Sequence, residues 1–348
     1  MRSERRAARD WTPEEYRALL VAARRRQLVL TRDNLRRLMG TYDAAAREIV
    51  RRIEALGEQW FTDEQMIDNA RLQELLAGID QRLQDLSSDY ADLLDAGMLE
   101  LAQAAADRAQ QVAEMVWSRD VDPELIAEMD RTWRLSDGAD VTVRFGRLAQ
   151  QTVEGLAARY YSDGIALSTR LHNLSDLGYK AVENSILQSV AEQLSAAQTA
   201  DRVHDALTGA GEDSPWWVAM RIARTELIQA HRATTNVAAV DRQTGELKPY
   251  LLGIGWALSA GHPEPDICDV YAAHDSGLGP GVYQPDDVPI SHPNCICSTY
   301  QVLKAAPNLY PPRMEPQVGE VPTTQLDYYA RQGDGPASAA LDARPAEE

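Results

Sequence analysis

The chain has 348 residues, of which 44% are hydrophobic and 25% charged, and its formal net charge is -18. This length is enough for two or three domains with substantial hydrophobic cores. No run of about 18 apolar residues occurs, so no transmembrane helix is expected. Three cysteines are too few for a disulfide framework, so we expect reduced thiols or a metal in a reducing cytoplasm.

The charge is unevenly distributed along the chain. Residues 1–56 contain 14 arginines and 8 acidic residues, whereas the rest of the chain has a net charge of -24. A basic arm on an acidic body is typical of contact with nucleic acid or with an acidic protein surface. Because the arginines alternate with acids, a solvated helix face is the other interpretation.

The first 118 residues predict a long helical arm. Thr12-Pro-Glu-Glu15 is a capping box ahead of a helix, and Thr62-Asp-Glu-Gln65 repeats it. Apolar residues then recur at steps of three and four, and the second stripe keeps this spacing over three heptads. This favours a coiled coil or an antiparallel hairpin, with the partner helix in the same chain or in another copy. The stripe consists of Leu72, Leu76, Ile79, Leu83, Leu86, Tyr90 and Leu93.

Three further regions follow the arm. Residues 119–210 have helical patterns and few strand signals, which predicts a helical middle region. Residues 211–304 begin with a helix near Pro215 and continue into two strand-like segments, 249–259 and 290–303, on either side of a loop rich in Gly, Pro and Asp. Residues 305–348 predict a disordered or extended, acidic and proline-rich tail. The predicted fold class is therefore mainly α: a long helical or coiled-coil N-terminal arm and a helical middle, followed by a small α+β C-terminal domain.

Four metal-binding side chains lie within 30 residues of each other: Cys268, His292, Cys295 and Cys297. This is the number of ligands that tetrahedral zinc requires. If residues 295–297 are extended, both of their cysteines point to the same side. Two residues between cysteines are commoner in zinc sites than one, so reduced thiols that pack as small apolar groups are the alternative.

Two catalytic arrangements are also open. A Cys295–His292 pair would supply a nucleophile and a base, although no third residue that orients the base is recognisable. A hydrolytic metal site could use the acidic loop, although its spacing matches no ligand motif. On the helix from Pro215, Arg221, Arg224 and Glu226 predict a structural polar clamp. The residues of the loop site would be Asp266, Asp269, Asp275, Asp286 and Asp287 with His262 and His274.

Four segments together resemble the C-terminal domain of the phage Mu F-type minor head proteins: "ARTELIQAHRATTN", "GIGWALS", "DICDVY" and "PISHPNCIC". That family has a helix with Arg-Thr-Glu, a strand with Trp, a Cys-x-x-Cys and a terminal His-Pro-x-Cys-Arg-Cys. Here Tyr271 replaces the second cysteine of the Cys-x-x-Cys, and Ile296 replaces the arginine. A four-cysteine site is thus excluded, and zinc would need His292 or an acid such as Asp266. The matching residues, between about 215 and 303, are Arg224, Glu226, Trp256, Cys268, His292, Pro293, Cys295 and Cys297.

The resemblance implies a minor capsid component at the portal vertex that acts in head assembly and genome passage, and not an enzyme. The implied partners are the portal protein and other capsid or scaffold subunits, with packaged DNA as a further contact of the Arg-rich arm. The implied location is the virion, in the capsid interior or at the portal vertex, and the host cytoplasm during assembly. Two other hypotheses remain: a hydrolase or nuclease that uses the Cys/His/Asp loop during ejection, and a coiled-coil scaffolding or adaptor protein.

Overall fold

The computed structural model of the protein describes residues 12–55, 69–120, 141–158, 165–192, 194–209, 211, 213–240, 247–259, 264–290, 292–305 and 315–344. These residues form two compact units, and each unit combines segments that are distant in the sequence. Unit 1 falls within residues 1–30, 98–153 and 227–348, and unit 2 within residues 31–97 and 154–226. Parts of the predicted N-terminal arm therefore belong to the same unit as the C-terminal sheet.

Helices predominate among the described residues, and a small antiparallel sheet lies near the C-terminal end, which confirms the predicted fold class. In the part of the chain that is described, no helix is both long enough and apolar enough to cross a membrane. The elements before the sheet are α1 (Pro13–Glu54), α2 (Asn69–Asp120), α3 (Val141–Ala157), α4 (Leu167–Ala191), α5 (Ala196–Thr208) and α6 (Pro215–Val240). The remaining elements are β1 (Leu251–Ala257), α7 (Ile267–Ala273), β2 (Val282–Tyr283), β3 (Ser298–Leu303), α8 (Thr323–Arg331) and α9 (Gly335–Asp342).

Helix α1 begins where its capping box predicts. The Thr12 N–H donates to Glu15 Oε2 at 2.9 Å, and the Glu15 N–H donates to Thr12 Oγ1 at 3.2 Å. Each side chain thus satisfies one of the N–H groups that have no partner within the helix at its start. The second predicted capping box, at residues 62–65, lies outside the described residues.

Unit 2 contains an antiparallel pair of helix segments from α1 and α2. Arg82 Nε lies 2.7 Å from Glu48 Oε2, and one turn further along α1, Arg52 donates to the carbonyl of Gly78 at 3.0 Å. The partner positions on α2 decrease as those on α1 increase, so the two segments run in opposite directions. This is the hairpin alternative of the heptad prediction. Pairing of this stripe with a second copy stays a prediction.

The buried face of α2 follows the predicted stripe only in part. Leu93, the last predicted member, is half-buried, whereas its neighbour Leu94 is 0% exposed. A straight helix has 3.6 residues per turn, so its apolar face moves forward relative to a strict 3.5-residue repeat. The predicted members that are buried are Leu76, Ile79, Leu83, Leu86 and Tyr90.

The exposed arginines of α1 form ion pairs along their own helix. Such pairs between residues three or four positions apart contribute about 0.3–0.5 kcal/mol each at a solvated surface. Such pairs are typical of a solvated helix surface, and contact of the arm with DNA stays a prediction. Examples are Asp33–Arg36 at 3.6 Å, Asp43–Arg47 at 2.6 Å and Glu48–Arg52 at 2.7 Å.

The sheet of unit 1 has the order β2-β1-β3, and both pairings are antiparallel. Residues from helices far away in sequence contact its edge strand β3. Tyr16 of α1 donates its hydroxyl proton to the carbonyl of Gln301, and Arg108 of α2 donates to the carbonyl of Thr299 at 3.2 Å. In β1, a Cβ atom at Gly255 would lie 2.4 Å from the ring of Tyr300, so this close approach requires glycine.

The strand and loop predictions around the sheet need two corrections. The predicted strand 290–303 is wrong in its first half, because β3 begins only at Ser298 and the preceding residues form a turn and an irregular segment. The predicted loop contains the helix α7 and the short strand β2. The side chains of Asp266 and Asp269 form a capping box at the start of α7, a signal that the Gly- and Pro-rich composition of the loop obscures.

The prediction of a disordered or extended tail is wrong for the described residues 315–344. These residues form the helices α8 and α9, whose apolar side chains pack against the core around β1 and α7. Val321, Leu326 and Ala337 are at most 1% exposed. Composition indicated disorder because few apolar residues are present, but it does not reveal that the fold provides an apolar surface to receive them.

Candidate functional site

The structure brings the three cysteines of the chain into one buried cluster in unit 1. The sulfur atoms of Cys268, Cys295 and Cys297 all lie within 4.8 Å of one another, and those of Cys268 and Cys295 are 3.3 Å apart. None of the three thiols forms a disulfide, and none of these residues is more than 3% exposed. Ligand atoms of Asp266, Cys268 and His292 form a second group with the same 4.8 Å limit. The predicted ligand set is therefore gathered around Cys268.

Helix α7 fixes the position of Cys268. Asp266 Oδ1 accepts a hydrogen bond from the Cys268 N–H at 2.7 Å, and Asp269 Oδ2 accepts one from the Asp266 N–H at 2.9 Å. This reciprocal cap fixes the first turn of the helix, where the thiol lies. Asp269 Oδ1 also accepts from the Gln317 N–H at 2.8 Å, so the same carboxylate connects α7 to the C-terminal segment.

A tight turn positions His292 and Cys295. The Cys295 N–H donates to the carbonyl of His292 at 3.4 Å, which closes a four-residue turn. Pro293 and Asn294 occupy its two central positions, and Asn294 has a φ of 66°. Proline followed by a residue with positive φ is the signature of a type II turn. The sequence predicted that a His-x-x-Cys turn could bring the imidazole close to the thiols, and this is confirmed.

Arg232 of α6 provides a buried positive charge beside the thiols. Its Nη2 donates to Cys295 Sγ at 2.9 Å and to the carbonyl of Cys297. Its guanidinium carbon lies 4.6 Å from the ring centroid of Trp256, which is a cation–π contact with a fully buried indole. Nε and Nη1 of Arg232 make no hydrogen bond within the described part of the chain. A desolvated cation in this position favours negative charge on the sulfur atoms.

The three thiols differ in pKa. Burial raises the pKa of Cys295. The hydrogen bonds with Cys268 and Cys297 and the charge of Arg232 together lower it by more, so the pKa of Cys295 is well below its usual range. Burial and the hydrogen bond with Cys295 raise the pKa of Cys268. The pKa of Cys297 is raised to about 12: its contact with Cys268 lowers it, whereas Cys295 and burial raise it more. In the metal-free protein, Cys295 is thus the thiolate of the cluster.

His292 is held between a carbonyl and a carboxylate. Its Nδ1 lies 2.8 Å from the carbonyl oxygen of Pro293, and its Nε2 lies 2.9 Å from Asp266 Oδ2. The second contact does not have the alignment of a hydrogen bond. Burial alone lowers the pKa of His292, but Asp266 and the Cys295 thiolate raise it to about 10. The imidazole is therefore protonated at neutral pH when no metal is bound.

The C-terminal helices close the cluster from one side. Residues of α8 and α9 belong to the same apolar core as Cys268, Cys295 and Cys297. Tyr271 of α7 donates its hydroxyl proton to Asp334 Oδ2 at 2.7 Å. The side chain of Asp334 also caps α9. Tyr271 therefore helps to hold the closing helices in place.

A surface pocket lies beside the cluster, but the thiols do not line it. Asp266 lines the pocket, whereas the three cysteines and His292 do not. The pocket thus ends at the carboxylate that contacts His292 and does not reach Cys295. Its lining consists of Glu264, Pro265, Asp266, Pro322, Thr324, Gln325, Tyr328 and Tyr329.

Further basic side chains, buried or half-buried, lie near the site, and the sequence did not indicate them. Arg24 of α1 donates to the carbonyl of Ile296 at 3.0 Å, and Arg108 of α2 donates to Thr235 Oγ1. The pKa of each guanidinium is lowered to about 10, mainly by burial. His231 is 1% exposed, and its pKa is lowered by burial and by the charges of nearby arginines. The only available signal was a set of arginines and one histidine inside otherwise apolar helix faces.

The other predicted residues are placed elsewhere. Arg224 and Glu226 belong to unit 2 and are not part of the cluster. Among the described residues, Asp266 is the sole member of the acidic loop that belongs to a group of close metal-binding side chains. Asp275 accepts from the N–H groups of Gly277 and Gly279 and so stabilises a turn. His262 lies outside the described residues.

The arrangement supports two kinds of chemistry. A thiolate and an imidazolium side by side form the ion pair that thiol hydrolases use, whereas three thiols and an imidazole around one point suit a metal ion. A nucleophile must be reachable by its substrate, and here the sulfur atoms are buried. Comparisons of this chain with protein-family models, with curated proteins and with solved structures find no match.

Proposed function

We propose that this protein is a phage minor head protein, associated with the portal vertex and acting in head assembly and in genome packaging and ejection. One observation carries the proposal. Trp256, Cys268, Cys295 and Cys297, which the resemblance groups by sequence, come from separate segments and pack into one buried core. His292 and Pro293 form the turn beside them. The motif thus acts as a structural clasp that joins β1, α7, the turn before β3 and the closing helices.

The burial of the clasp supports a structural role over a catalytic one. Cys295 is 3% exposed, and the pocket beside the cluster reaches Asp266 but no thiol. Catalysis by a thiolate requires direct attack on a substrate atom, which these positions do not permit without movement of α8. The burial therefore supports the structural role in our proposal, which places the protein in the virion or in its assembly in the host cytoplasm.

A thiol hydrolase is the second candidate, and one observation favours it. The pKa of Cys295 is lowered and that of His292 is raised to about 10, as in an activated thiolate–imidazolium pair. This candidate predicts rapid loss of an activity when intact protein is treated with iodoacetamide. The structural role predicts that the buried thiols of the native protein react slowly.

The proposal is tested by the composition of purified virions. Particles from the strain that contains the gene are separated on a density gradient, and the chain is quantified by mass spectrometry against the portal protein. We expect the chain in the particle fraction at a low copy number, and we expect it to co-purify with the portal. As a control, tagged chain added after assembly must stay out of that fraction. Absence of the chain from both virions and assembly intermediates would refute the proposal.

A further inference from the structure

The three sulfur atoms of the cluster are close enough together to share one tetrahedral metal ion. With Zn–S near 2.3 Å and Zn–N near 2.0–2.1 Å, tetrahedral angles place neighbouring ligand atoms about 3.5–3.8 Å apart. The sulfur atoms of Cys268 and Cys295 are 3.3 Å apart, and all three sulfur atoms lie within 4.8 Å of one another. A ligand atom of His292 lies within the same limit of the Cys268 sulfur. Cys268 belongs to both groups, so zinc binding would draw the imidazole toward the three sulfur atoms.

The imidazole of His292 is oriented as a metal ligand. A carbonyl oxygen can only accept a hydrogen bond, so the contact with Pro293 places a proton on Nδ1. In the neutral ring, Nε2, which lies 2.9 Å from Asp266 Oδ2, then carries the lone pair that a metal ion requires. Metal-binding histidines commonly donate their other N–H to a carbonyl, since this fixes the tautomer and the ring plane.

The charge of Arg232 is explained by an anionic metal site. A divalent ion with three thiolates has a net charge of minus one, and the guanidinium that donates to Cys295 Sγ at 2.9 Å neutralises it. If all three thiols were neutral and packed only as small apolar groups, the fully buried Arg232 would have no anionic partner, and burial of an isolated charge is costly. Arg232 therefore fits a cluster with thiolate character, and the thiolate is the form of cysteine that binds a metal ion.

We propose that Cys268, Cys295, Cys297 and His292 bind one zinc ion in a tetrahedral site, and that Arg232 balances its charge. Thiolate and imidazole ligands select zinc among the abundant divalent ions, and four protein ligands in a closed site make it structural. Asp266 remains outside the ligand shell as the cap of α7. The site does not depend on the phage function, because it rests only on the geometry of these side chains.

The first test needs no variant. The full-length protein is purified under reducing conditions without added chelator, and its metal content is measured by inductively coupled plasma mass spectrometry. We expect about one zinc per chain. Replacement of the zinc by Co²⁺ is expected to produce the intense visible bands of tetrahedral cobalt and a thiolate-to-cobalt charge-transfer band in the near ultraviolet. Protein that contains no zinc and produces neither set of bands with Co²⁺ would overturn the proposal.

The second test identifies the ligands. The substitution Cys295→Ala is expected to abolish the charge-transfer band or to shift it strongly. The substitution His292→Gln is expected to lower the affinity for zinc, measured by competition with a chelator, by more than about 100-fold, because even changes outside the ligand shell cost 10–100-fold. The control is His204→Gln, which alters a histidine of unit 2 and must keep wild-type affinity. Asp266→Asn tests the carboxylate beside His292, and it is expected to lower the affinity less than His292→Gln does. If Asp266→Asn loses zinc and His292→Gln retains it, the assignment of His292 is wrong.

Discussion

Leu326 holds the closing helix α8 over the thiols, so its truncation should open the cluster. The side chain is 0% exposed and packs in the core that contains Cys268, Cys295 and Cys297. Leu326→Ala removes about three buried carbon atoms and leaves a cavity, which costs about 2–5 kcal/mol. If the substitution lowers the free energy of the local opening of α8 by this amount, the fraction of molecules in which α8 is open rises by about 30-fold to several thousand-fold. The conversion uses a factor of ten for each step of about 1.4 kcal/mol.

The assay is the rate at which a maleimide labels the native protein. The chain contains only three cysteines, all in the cluster, so mass spectrometry reports their exposure directly. The matched control is Leu187→Ala, which truncates a leucine that is 51% exposed on α4. We expect faster labelling of Leu326→Ala by at least about 30-fold over this control. Equal rates in the two variants would refute the conclusion that α8 covers the thiols.

Three further predictions concern stability. The pKa of His231 in the folded protein is lower than its value in the unfolded chain, which is near 6.5, so the folded state binds fewer protons. The stability of the protein is therefore lost as the pH falls below about 6.5, by up to about 1.4 kcal/mol per pH unit. In urea unfolding, the free energy of unfolding of His231→Gln should therefore fall less between pH 7.5 and pH 5 than that of the wild type. The control variant His204→Gln should show the wild-type decrease, and an equal decrease in all three proteins would contradict this prediction. Gly40→Ala should raise the free energy of unfolding by about 0.5–1 kcal/mol, because no atom lies within 4 Å of its Cβ. Gly255→Ala should lower the free energy of unfolding by about 1–3 kcal/mol, because its added Cβ atom clashes with Tyr300. If the melting temperatures of Gly40→Ala and Gly255→Ala shift in the same direction, the packing described for β1 is contradicted.

The long helices could be predicted from sequence because their signals are local. The capping box at Thr12 and the apolar steps along α1 and α2 depend on residues within one or two turns of each other. The same local logic found the turn from His292 to Cys295, where proline precedes a residue that tolerates positive φ. These features were accessible because their physical cause lies within a few residues.

The composition of the site was only half predictable. The cysteines and His292 stand close together in the sequence, but Arg232 lies more than 60 positions before Cys297 and contacts it only in the folded chain. Arg24 reaches the neighbouring Ile296 from the first helix, at a sequence separation of 272 residues. Such contacts depend on how α1, α6 and the sheet pack, and no pattern along the chain encodes that packing.

The tail prediction failed for a similar reason. Residues 315–344 have a proline-rich, acidic sequence with scattered apolar residues, which as an isolated segment cannot bury enough surface to fold. Leu326 and Val321 become buried because α7 and β1 already present an apolar surface to them. The order of this segment is thus a property of unit 1 as a whole and not of its own composition.

The effect of metal removal on thermal stability tests the zinc clasp most directly. The full-length protein is melted before and after treatment with a strong chelator, with zinc loss verified by mass spectrometry and with zinc then added back. A ligand at 100 times its dissociation constant stabilises a protein by about 2.7 kcal/mol, so we expect the melting temperature to fall by about 5 °C or more and to recover with zinc. An unchanged melting temperature in protein shown to have lost its zinc would contradict the account.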